Sequence, residues 1–573
     1  MLESKSTGYP SIDKPWLKYY SDEAIHTSLP KMSAYQYLCD CNKDHLDSPA
    51  LEYFHKTFSF RQLFQNIDRL ASCFRAVGVK EGDTVVICSA NTPETVYMFY
   101  ALNKIGAISN MVDPRTSPAG IASYIQESHA SVVVVLDVAY SKIASITSSL
   151  EKVIVLSPVE SLFLLYKTAY QLKNSLHIVY SQKVISYQTF LSMFHSSPLP
   201  PCPYIPNRCC VIEHTGGTTG TPKSVMLSNE NINAVAIQSV LTGIDMKREH
   251  TWLDIMPPFI AYGIGMGLHL PLIIGMKVIL IPSFDAAKFD YLIAKHRPIH
   301  MVGVPSYWET IINSKKLKHA DLSYMIAPTV GGDSMDTTLE KRSNQFLQEH
   351  NCTSKIVKGY GMTEVCGGVA GTVPQKNPIG SVGIPFVMCN ISIFDPSTNH
   401  ELSYNQMGEI CISGPNIMLG YQNNPAATNQ LIRIHPDGRK WLHTGDIGYM
   451  DTDGALFVAN RIKRIIIRYD GFKIFPSLIE QTACKHPSVS SACAVGLPDP
   501  SHLQGSLPVV FFTIRGNIDA EKLISELKSL CKTDLPEYAQ PLDFIPIKAL
   551  PLTPIGKIDY QLLENTARER KPQ

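Results

Sequence analysis

The 573-residue sequence lacks the features by which several common classes of protein are recognised. Its 14 cysteines include no C-x-x-C pair, and several of them, such as Cys88, Cys411 and Cys493, lie in apolar, strand-like runs. This pattern favours buried free thiols in a reducing compartment over disulfides or a zinc site. No apolar run reaches the roughly 18 residues of a membrane-spanning helix, because Gly275 and Lys277 break the longest candidate.

An excess of charge of either sign is also missing from the chain. The formal net charge is +1 at pH 7, and no block of basic residues is interleaved with aromatic ones. The sequence therefore gives no electrostatic reason to expect a nucleic-acid partner. The amino-terminal residues do not combine a basic segment with an apolar core, so they do not resemble a secretory signal, and we expect a cytoplasmic protein.

The sequence does contain enough apolar material for more than one core. Hydrophobic residues make up 45% and charged residues 18% of the 573 residues, a length that exceeds one ordinary domain. From Phe60 the pattern alternates between helices, such as 60–77, and β-branched strands, such as Ser131–Leu136. This alternation predicts βαβ units and a largely parallel sheet, whereas residues 464–573 are typical of a compact α+β unit.

The stretch from Thr215 to Lys223, T-G-G-T-T-G-T-P-K, is rich in glycine and threonine. A loop that wraps an anion uses this composition, because glycines let backbone N–H groups approach phosphate oxygens, hydroxyls donate, and a lysine adds charge. The stretch is not a Walker A loop, since Pro222 stands where that motif needs glycine. Taken alone, it also fits a glycine- and threonine-rich surface turn.

Four later stretches also combine glycine with polar or charged residues. They are G-Y-G-M-T-E at 359–364, G-E-I-C-I-S-G-P-N-I-M-L-G-Y at 408–421, W-L-H-T-G-D-I-G at 441–448 and L-P-L-T-P-I-G-K-I-D at 550–559. Together with residues 215–223, they resemble, in content and in order, the motifs of the acyl-adenylate-forming enzymes, which include acyl-CoA synthetases, luciferases and peptide-synthetase adenylation domains. The resemblance spans roughly residues 60–565.

The resemblance implies a mixed α/β fold with two domains. A large N-terminal domain of β-sheets and helices, residues 1–462, would bind AMP and the acyl substrate, and residues 463–573 would form a small, mobile α+β lid. The implied reaction uses ATP and Mg²⁺. A carboxylate attacks the α-phosphate to give an acyl-adenylate and pyrophosphate, and a thiol, for which we favour free coenzyme A, then displaces AMP.

The same resemblance assigns roles to individual residues. Lys557 would bridge the carboxylate and the α-phosphate, Thr363 would place the α-phosphate, and Glu364 would hold Mg²⁺. Asp446 would accept hydrogen bonds from the ribose hydroxyls, and Lys463 would be the hinge between the domains. The other residues expected to bind the nucleotide or coenzyme A are Thr215, Gly216, Gly217, Thr218, Thr219, Gly220, Lys223, Gly332, Asp333, Gly359, Tyr360, Gly361, Arg461, Gly471 and Lys473. The residues expected to line the acyl pocket are Phe259, Tyr262, Gly263, Val304 and Gly331.

Several positions depart from the family pattern. Ile260 stands where histidine is common, which bears on how the pocket near the reacting carboxylate is closed. Asn460 and Arg464 replace the usual glycine and aspartate beside the hinge, and Leu478 replaces a glutamate. The energetics of the hinge are therefore expected to differ from those of relatives.

The sequence leaves the acid itself open. The mostly apolar pocket candidates suit an acyl chain or an aryl acid, and we favour a fatty acid of medium or long chain. Amino-acid adenylation is disfavoured, because residues 257–269 lack the aspartate that pairs an α-amine in that branch. A stand-alone ligase that loads a carrier protein and a non-catalytic nucleotide or acyl-ligand sensor are alternatives.

One further segment, 161–173, carries leucine, phenylalanine and tyrosine on an amphipathic pattern with Lys167 and Lys173 beside them. Such a helix either packs on its own domain, which is the commoner outcome, or contacts membrane lipid. We retain peripheral membrane contact through this segment as a hypothesis.

Overall fold

The computed structural model describes residues 6–174, 177–194, 199–215, 223–283, 285–461, 464, 466–468, 473–502, 505–516, 518–553 and 557–570. At residues 171, 460, 461 and 473 it describes the backbone alone. The strands in chain order are β1 (Pro49–Tyr53), β2 (Lys56–Ser59), β3 (Thr84–Cys88), β4 (Ile108–Val112), β5 (Val132–Leu136), β6 (Lys152–Leu156), β7 (Val184–Ser186), β8 (Cys209–His214), β9 (Ser224–Ser228), β10 (Thr251–Asp254), β11 (Lys277–Leu280), β12 (His300–Gly303), β13 (Ala327–Val330), β14 (Val357–Tyr360), β15 (Ala370–Gly371), β16 (Ile384–Pro385), β17 (Asn390–Phe394), β18 (Gly408–Ser413), β19 (Gly420–Tyr421), β20 (Ile432–Ile434), β21 (Lys440–Met450), β22 (Leu456–Arg461), β23 (Ile466–Ile467), β24 (Lys473–Ile474), β25 (Val489–Pro498), β26 (Ser506–Ile514) and β27 (Asp543–Pro546).

The α-helices are α1 (Pro10–Asp13), α2 (Asp22–His26), α3 (Ala34–Asn42), α4 (Phe60–Ala76), α5 (Pro93–Lys104), α6 (Pro118–Glu127), α7 (Leu164–Lys173), α8 (Tyr187–Leu191), α9 (Asn229–Val240), α10 (Leu270–Ile274), α11 (Phe289–His296), α12 (Pro305–Ile312), α13 (Thr337–Glu349), α14 (Pro425–Leu431), α15 (Pro476–Cys484), α16 (Ala520–Asp534) and α17 (Tyr560–Glu569). Short 3₁₀ turns lie at Pro15–Tyr19, Asp137–Lys142, Ala144–Ser149, Ala286–Lys288, Thr363–Val365 and Glu537–Ala539. A π-helix covers Gly263–His269.

Two large sheets, parallel at their centres, form the body of the protein. One has the strand order β16-β15-β14-β13-β12-β10-β11-β1-β2, and the other has the order β19-β9-β8-β4-β3-β5-β6-β7. The strand pairs at the centre of each sheet are parallel, and antiparallel pairs lie toward the ends. A continuous apolar core draws residues from both sheets and from the helices that cover them.

The local sequence explains why these elements form. All five residues of β5 are buried, as expected for a β-branched strand that pairs in parallel on both sides. Helix α4 begins with a capping box, in which the Ser59 and Gln62 side chains bond each other's backbone N–H groups. Helix α5 begins with Thr92 as its cap and Pro93 in its first turn, and each of its residues is buried.

The carboxy-terminal part forms a smaller unit with its own cores. Strands β25, β26 and β27 make a three-stranded sheet. Helices α15 and α16 contribute to one apolar cluster of this unit, and α17 contributes to another. The predicted α/β fold with a large N-terminal part and a small α+β part is confirmed. The boundary between 462 and 463 stays a prediction, and both residues lie outside the described part of the chain.

Two expectations from composition can be compared with the structure. All 14 cysteines are free thiols, and most are buried. Within the described part of the chain, the structure contains no helix with both the length and the apolar character needed to span a bilayer.

The parallel strands also bring the motifs together. The carboxyl ends of β12, β13 and β14 lie side by side at one edge of their sheet, where ligand sites of open α/β sheets are found. The turn after β14 passes very close to a neighbouring segment, since a Cβ on Gly361 would overlap the carbonyl oxygen of Gly367. This position therefore requires glycine.

Candidate active site

A cavity of about 1160 Å³, including the part open to solvent, lies over the carboxyl ends of these strands. Residues from β13, β14, α9, the π-helix and the small carboxy-terminal unit all line it. They are His214, Ser239, Thr242, Ile244, Met246, Trp252, Met256, Ile260, Ala261, Tyr262, Met266, Leu270, Val304, Ala327, Thr329, Gly331, Gly332, Val357, Lys358, Gly359, Tyr360, Gly361, Met362, Thr363, Gly367, Gly368, Ala370, Gly371, Thr372, Phe386 and Lys557.

Small side chains on one face of the sheet make room for this cavity. Ala327, Thr329 and Gly331 alternate along β13 and its end, and all three line the cavity. From Ala327 to Gly331 the cavity follows the strand for about 13 Å, at the usual rise per residue. The cavity is therefore deep as well as wide.

Lys557 reaches this cavity from the small unit. A Cβ built on Gly332 would lie 4.0 Å from the Lys557 Cε atom, so the lysine side chain passes directly over the end of β13. The turn that carries Lys557 is closed internally. Its backbone N–H donates to Thr553 Oγ1 at 3.2 Å, and its carbonyl accepts from the Thr553 N–H at 2.7 Å. The paired residues Thr553 and Lys557 thus place the lysine side chain beside the glycine-rich strand ends.

The two ends of the glycine- and threonine-rich stretch are held together. The Thr215 N–H donates to the Lys223 carbonyl, and the Lys223 N–H donates to Thr215 Oγ1, both at 3.0 Å. The predicted phosphate contacts Gly216, Gly217, Thr218, Thr219 and Gly220 lie outside the described residues. The described ends show that the stretch links antiparallel strands β8 and β9.

Glu364 lies close to the end of this stretch through Tyr421. The Tyr421 hydroxyl donates to Glu364 Oε1 at 2.7 Å, and the Lys223 ammonium lies 4.6 Å from the centre of the Tyr421 ring. Burial, together with the Glu364 carboxylate, raises the pKa of Tyr421 well above its usual value, so the hydroxyl stays protonated as a donor. Lys223, Tyr421 and Glu364 therefore form a connected group.

Asp446 is fixed in a similar way by a second tyrosine. The Tyr360 hydroxyl donates to Asp446 Oδ2 at 2.6 Å, and the Asp446 N–H donates to Thr444 Oγ1 at 3.0 Å. Asp446 is buried and lies opposite Arg461 in the pairing of β21 with β22. The structure thus joins the motif at 359–364 to the motif at 441–448.

A buried group beneath Asp446 was not predicted from the sequence. Glu409 accepts a hydrogen bond from the Gly445 N–H at 3.0 Å and contacts His443 Nδ1 at 2.8 Å. In the described part of the chain, Glu409, Cys411 and His443 are also the one group of such side chains whose ligand atoms lie within 4.8 Å of one another. Both Glu409 oxygens are engaged in fixing the turn before Asp446. The motifs at 408–421 and 441–448 contain these residues, but their pairing is not visible in the sequence.

Two of the polar side chains at the cavity wall are His214 and Tyr262. His214 stacks on Tyr124, with ring centres 3.7 Å apart, and burial lowers its pKa to about 3, so it is neutral near pH 7. The Tyr262 hydroxyl is buried and has no hydrogen-bond partner among the described residues. It lies 3.5 Å from the position of a Cβ on Gly331, just after the end of β13.

The structure separates the predicted pocket residues into two groups. Tyr262, Val304 and Gly331 line the cavity, whereas Phe259 and Gly263 are not among its lining residues. The Phe259 ring instead lies 5.7 Å from the Arg115 guanidinium carbon. A Cβ on Gly263 would overlap the carbonyl oxygen of Pro257, so this glycine is needed for a close backbone approach rather than for a pocket wall.

The remaining predicted residues have different surroundings. Gly332, Gly359, Tyr360, Gly361 and Thr363 line the cavity with Lys557. Asp333 is not among the lining residues, and its carboxylate accepts from the Ser334 N–H at 2.8 Å. Four predicted positions lie partly or wholly outside the described part of the chain. Lys463 and Gly471 are not described, and only the backbones of Arg461 and Lys473 are.

Several cavity residues escaped the sequence analysis because they belong to no motif. Ser239 and Thr242 come from the end of α9 and the turn after it, and Trp252 comes from β10. Ile244, Met246, Leu270 and Phe386 complete this part of the wall. Their apolar character resembles that of any core residue, so no signal in the sequence distinguishes them.

These features define an enzyme with a nucleotide-sized cleft between a large α/β part and a small α+β part. A family model described as "AMP-binding enzyme" matches residues 40–422, and one described as "AMP-binding enzyme C-terminal domain" matches residues 478–557. The chain therefore belongs to the AMP-binding enzyme family. The acyl-adenylate-forming resemblance predicted from the motifs is confirmed.

Similar proteins include ligases for different acids. The chain is 28% identical to a long-chain-fatty-acid–CoA ligase of Bacillus subtilis, over 95% of this chain and 96% of that protein. It is also 28% identical to 4-coumarate-CoA ligase 1 of Narcissus pseudonarcissus, over 89% of each chain. The ATP-bound MatB structure from Rhodopseudomonas palustris has the same fold, with a TM-score of 0.81 and 20% identity over 94% of this chain and 99% of that one.

Proposed function

We propose that the protein is an ATP-dependent acyl-CoA synthetase that activates a carboxylic acid, with a fatty acid of medium or long chain as its substrate. The observation that carries this proposal is the position of Lys557 over the deep, mostly apolar cavity beside Gly332. One end of the cavity offers positive charge and small residues. The rest of the cavity wall is mostly apolar.

The first step joins the acid to AMP. A carboxylate oxygen attacks the α-phosphorus of ATP, the bond to the β-phosphate breaks, and pyrophosphate leaves. Lys557 would bind oxygens of both the carboxylate and the α-phosphate, and Thr363 would orient the α-phosphate. Positioning and neutralisation of charge are the main contributions that a protein makes to such a transfer.

The second step exchanges AMP for a thiol. The sulfur of coenzyme A attacks the acyl carbon, a new C–S bond forms, the bond to AMP breaks, and the thiol proton passes to solvent. Adenylation has by then turned a poor leaving group into a good one. Tyr360 and Asp446 would keep the ribose in place during both steps.

Glu364 fits a magnesium ion bound with the phosphates. Mg²⁺ takes oxygen ligands and is commonly held by one or two carboxylates together with substrate phosphates. Glu364 is a buried carboxylate with one oxygen oriented by Tyr421, close to Lys223. When bound, the ion would neutralise negative charge on the phosphates.

The depth of the cavity supports a chain over a single ring. From Gly331 to Ala327 the lining follows β13 for about 13 Å, which is longer than one aromatic ring. Met246, Met266, Ile244 and Leu270 add flexible or branched apolar contacts. The 14 free cysteines support the cytoplasmic location that we expect for such an enzyme.

The test is acid-dependent formation of AMP with a panel of straight-chain and aromatic acids, in the presence of ATP, Mg²⁺ and coenzyme A. We expect a maximum among the medium or long straight chains. Replacing Ala327 with Phe fills the cavity along β13, so the A327F variant should shift the preference to shorter acids. The matched control is A144F, because Ala144 is exposed and is not among the residues that line the cavity. A maximum with aromatic acids in the unaltered protein would overturn the fatty-acid assignment.

An aryl-acid–CoA ligase is the second candidate, favoured by the equal identity to a 4-coumarate-CoA ligase. The same panel separates the two. Turnover that requires a carrier protein instead of coenzyme A would support the carrier-loading alternative. Absence of pyrophosphate release with every acid would point to a non-catalytic sensor.

A further inference from the structure

Helix α7 presents its apolar face to solvent. The exposed fractions of Leu164, Leu165 and Leu172 are 78%, 79% and 81%. These residues lie on one side of the helix with Thr168 and Ala169, which are also exposed. An ordinary surface helix turns its apolar stripe toward the core, so α7 has the opposite arrangement.

The polar side of α7 is the side attached to the protein. The Tyr170 hydroxyl donates to the buried Asp137 carboxylate at 2.8 Å, and the Lys167 ammonium lies 4.0 Å from the Glu160 carboxylate. At the start of the helix, Lys56 donates to the Ser161 carbonyl at 2.6 Å. These contacts fix which side of the helix faces outward. The helix packs on its own domain, but through Lys167 and Tyr170 rather than through its leucines.

Neighbouring aromatic residues enlarge the exposed apolar surface. The Phe54 ring lies 6.2 Å from the Tyr166 ring, and both side chains are exposed, as is Phe163 before the helix. We call Phe54, Phe163, Leu164, Leu165, Tyr166 and Leu172 the α7 patch. Contiguous exposed apolar surface of this kind marks an interaction site in a soluble protein.

The charged side chains of residues 160–183 are lysines, apart from Glu160, which lies 4.0 Å from Lys167. Residues 161–183 contain no aspartate or glutamate but include Lys167, Lys173 and Lys183. Lys56 adds a further ammonium group, 5.4 Å from the centre of the Phe163 ring. Apolar side chains flanked by lysines match a bilayer that exposes anionic headgroups. The apolar side chains can insert among the acyl chains, and the lysines can pair with the phosphates.

The position of α7 leaves the active site accessible. Its anchors lie on the β1–β2 hairpin and beside β5 and β6, and β2 and β7 are the terminal strands of their sheets. The predicted nucleotide residues lie beside β9 and β14, toward the opposite ends of the same sheets. A surface bound to α7 would therefore not cover the cavity.

We propose that the α7 patch binds the surface of a bilayer containing anionic lipid, with the leucines of α7 inserted among the acyl chains. The proposal is independent of the acid that the enzyme activates. A binding assay without any substrate tests it, so its failure can be distinguished from failure of the proposed function.

The experiment measures co-flotation of the full-length protein with vesicles of phosphatidylcholine, with and without an equal part of phosphatidylglycerol. We expect binding to the mixed vesicles and at least about tenfold weaker binding to pure phosphatidylcholine. The double variant L164D/L165D should lose binding to both, by about tenfold or more. The variant K173E/K183E should lose only the preference for phosphatidylglycerol.

The matched control is I434D, because Ile434 is 73% exposed on β20 and lies outside the α7 patch. It should bind like the unaltered protein. If the thermal unfolding of L164D/L165D is unchanged, its loss of vesicle binding is not due to misfolding. Equal binding of L164D/L165D and the unaltered protein would overturn the proposal. So would concentration-dependent dimerisation in sedimentation that the same variant abolishes, without any flotation, since the patch would then contact a second copy.

Discussion

The large and small parts of the molecule contribute to the cavity in different ways. In the large part, two candidate carboxylates are held by tyrosine hydroxyls from distant motifs, Glu364 by Tyr421 and Asp446 by Tyr360. Among the described residues of the small part, Lys557 lines the cavity, and hydrogen bonds with Thr553 hold its backbone. Under the proposed function, the binding groups would belong to the large part, whereas the small part would supply the charge for the first chemical step.

The largest expected effect is that of K557A. Removing the ammonium group should lower adenylation about a hundred- to a thousandfold, because charge on the reacting oxygens is no longer neutralised. Thioester formation from supplied acyl-adenylate should be retained, since the walls of the large part are unchanged. Pyrophosphate release and coenzyme A thioester formation measure the two half-reactions.

K548A is the control for this prediction, because Lys548 is an exposed lysine of the same unit. It should leave both half-reactions unchanged. If K557A reduced both half-reactions equally, the division of labour between the two parts would be wrong.

The second effect tests the rigidity of the large part. A Cβ on Gly361 would overlap the carbonyl oxygen of Gly367, so G361A should destabilise the protein by about 2–3 kcal/mol. The nearest atom to a Cβ on Gly359 is 3.6 Å away, so G359A should be nearly neutral. Chemical denaturation followed by circular dichroism compares them. Equal stability of the two variants would show that the strand ends are not closely packed.

The third effect concerns the nucleotide. Y360F removes the hydroxyl that donates to Asp446 at 2.6 Å, and the KM for ATP should rise about three- to tenfold, as for the loss of one hydrogen bond to a charged group. Y449F, which changes a tyrosine of the same strand as Asp446, should have no such effect. Steady-state kinetics at saturating acid provide the measurement. An unchanged KM for ATP in Y360F would show that the Tyr360 hydroxyl does not support nucleotide binding.

The smallest effect lies in the turn of the small part. T553A removes the Oγ1 atom that accepts from the Lys557 N–H, and adenylation should fall about two- to fivefold through poorer placement of Lys557. Thioester formation from acyl-adenylate should not change. T533A, on the outer face of α16, serves as the control. A loss of both half-reactions in T553A would indicate general destabilisation of the small unit instead.

Local sequence predicted the elements and motifs well because their causes are local. The strand expected at Ser131–Leu136 is observed at Val132–Leu136, and the helix expected at 60–77 is observed at Phe60–Ala76. A β-branched run and a capping box specify such elements within a few residues. The two-part α/β architecture followed from the alternation of elements and from the resemblance that the motifs carry.

The walls of the cavity could not be predicted in this way. Tyr421 and Glu364 are 57 residues apart, and Tyr360 and Asp446 are 86 residues apart. Whether such side chains meet depends on strand order and on register between distant segments. Phe259 and Gly263 flank Ile260, Ala261 and Tyr262 in the chain, yet only the three residues between them line the cavity.

The sequence by itself determined the family, the order of the elements and the identity of the chemical groups, since these depend on residue types at short spacings. Only the tertiary structure decided which apolar residues enclose the cavity and which remain exposed. Helix α7 is the clearest case. Its pattern is amphipathic in either orientation, and the contacts of Tyr170 and Lys167 with residues of other segments turn its leucines outward.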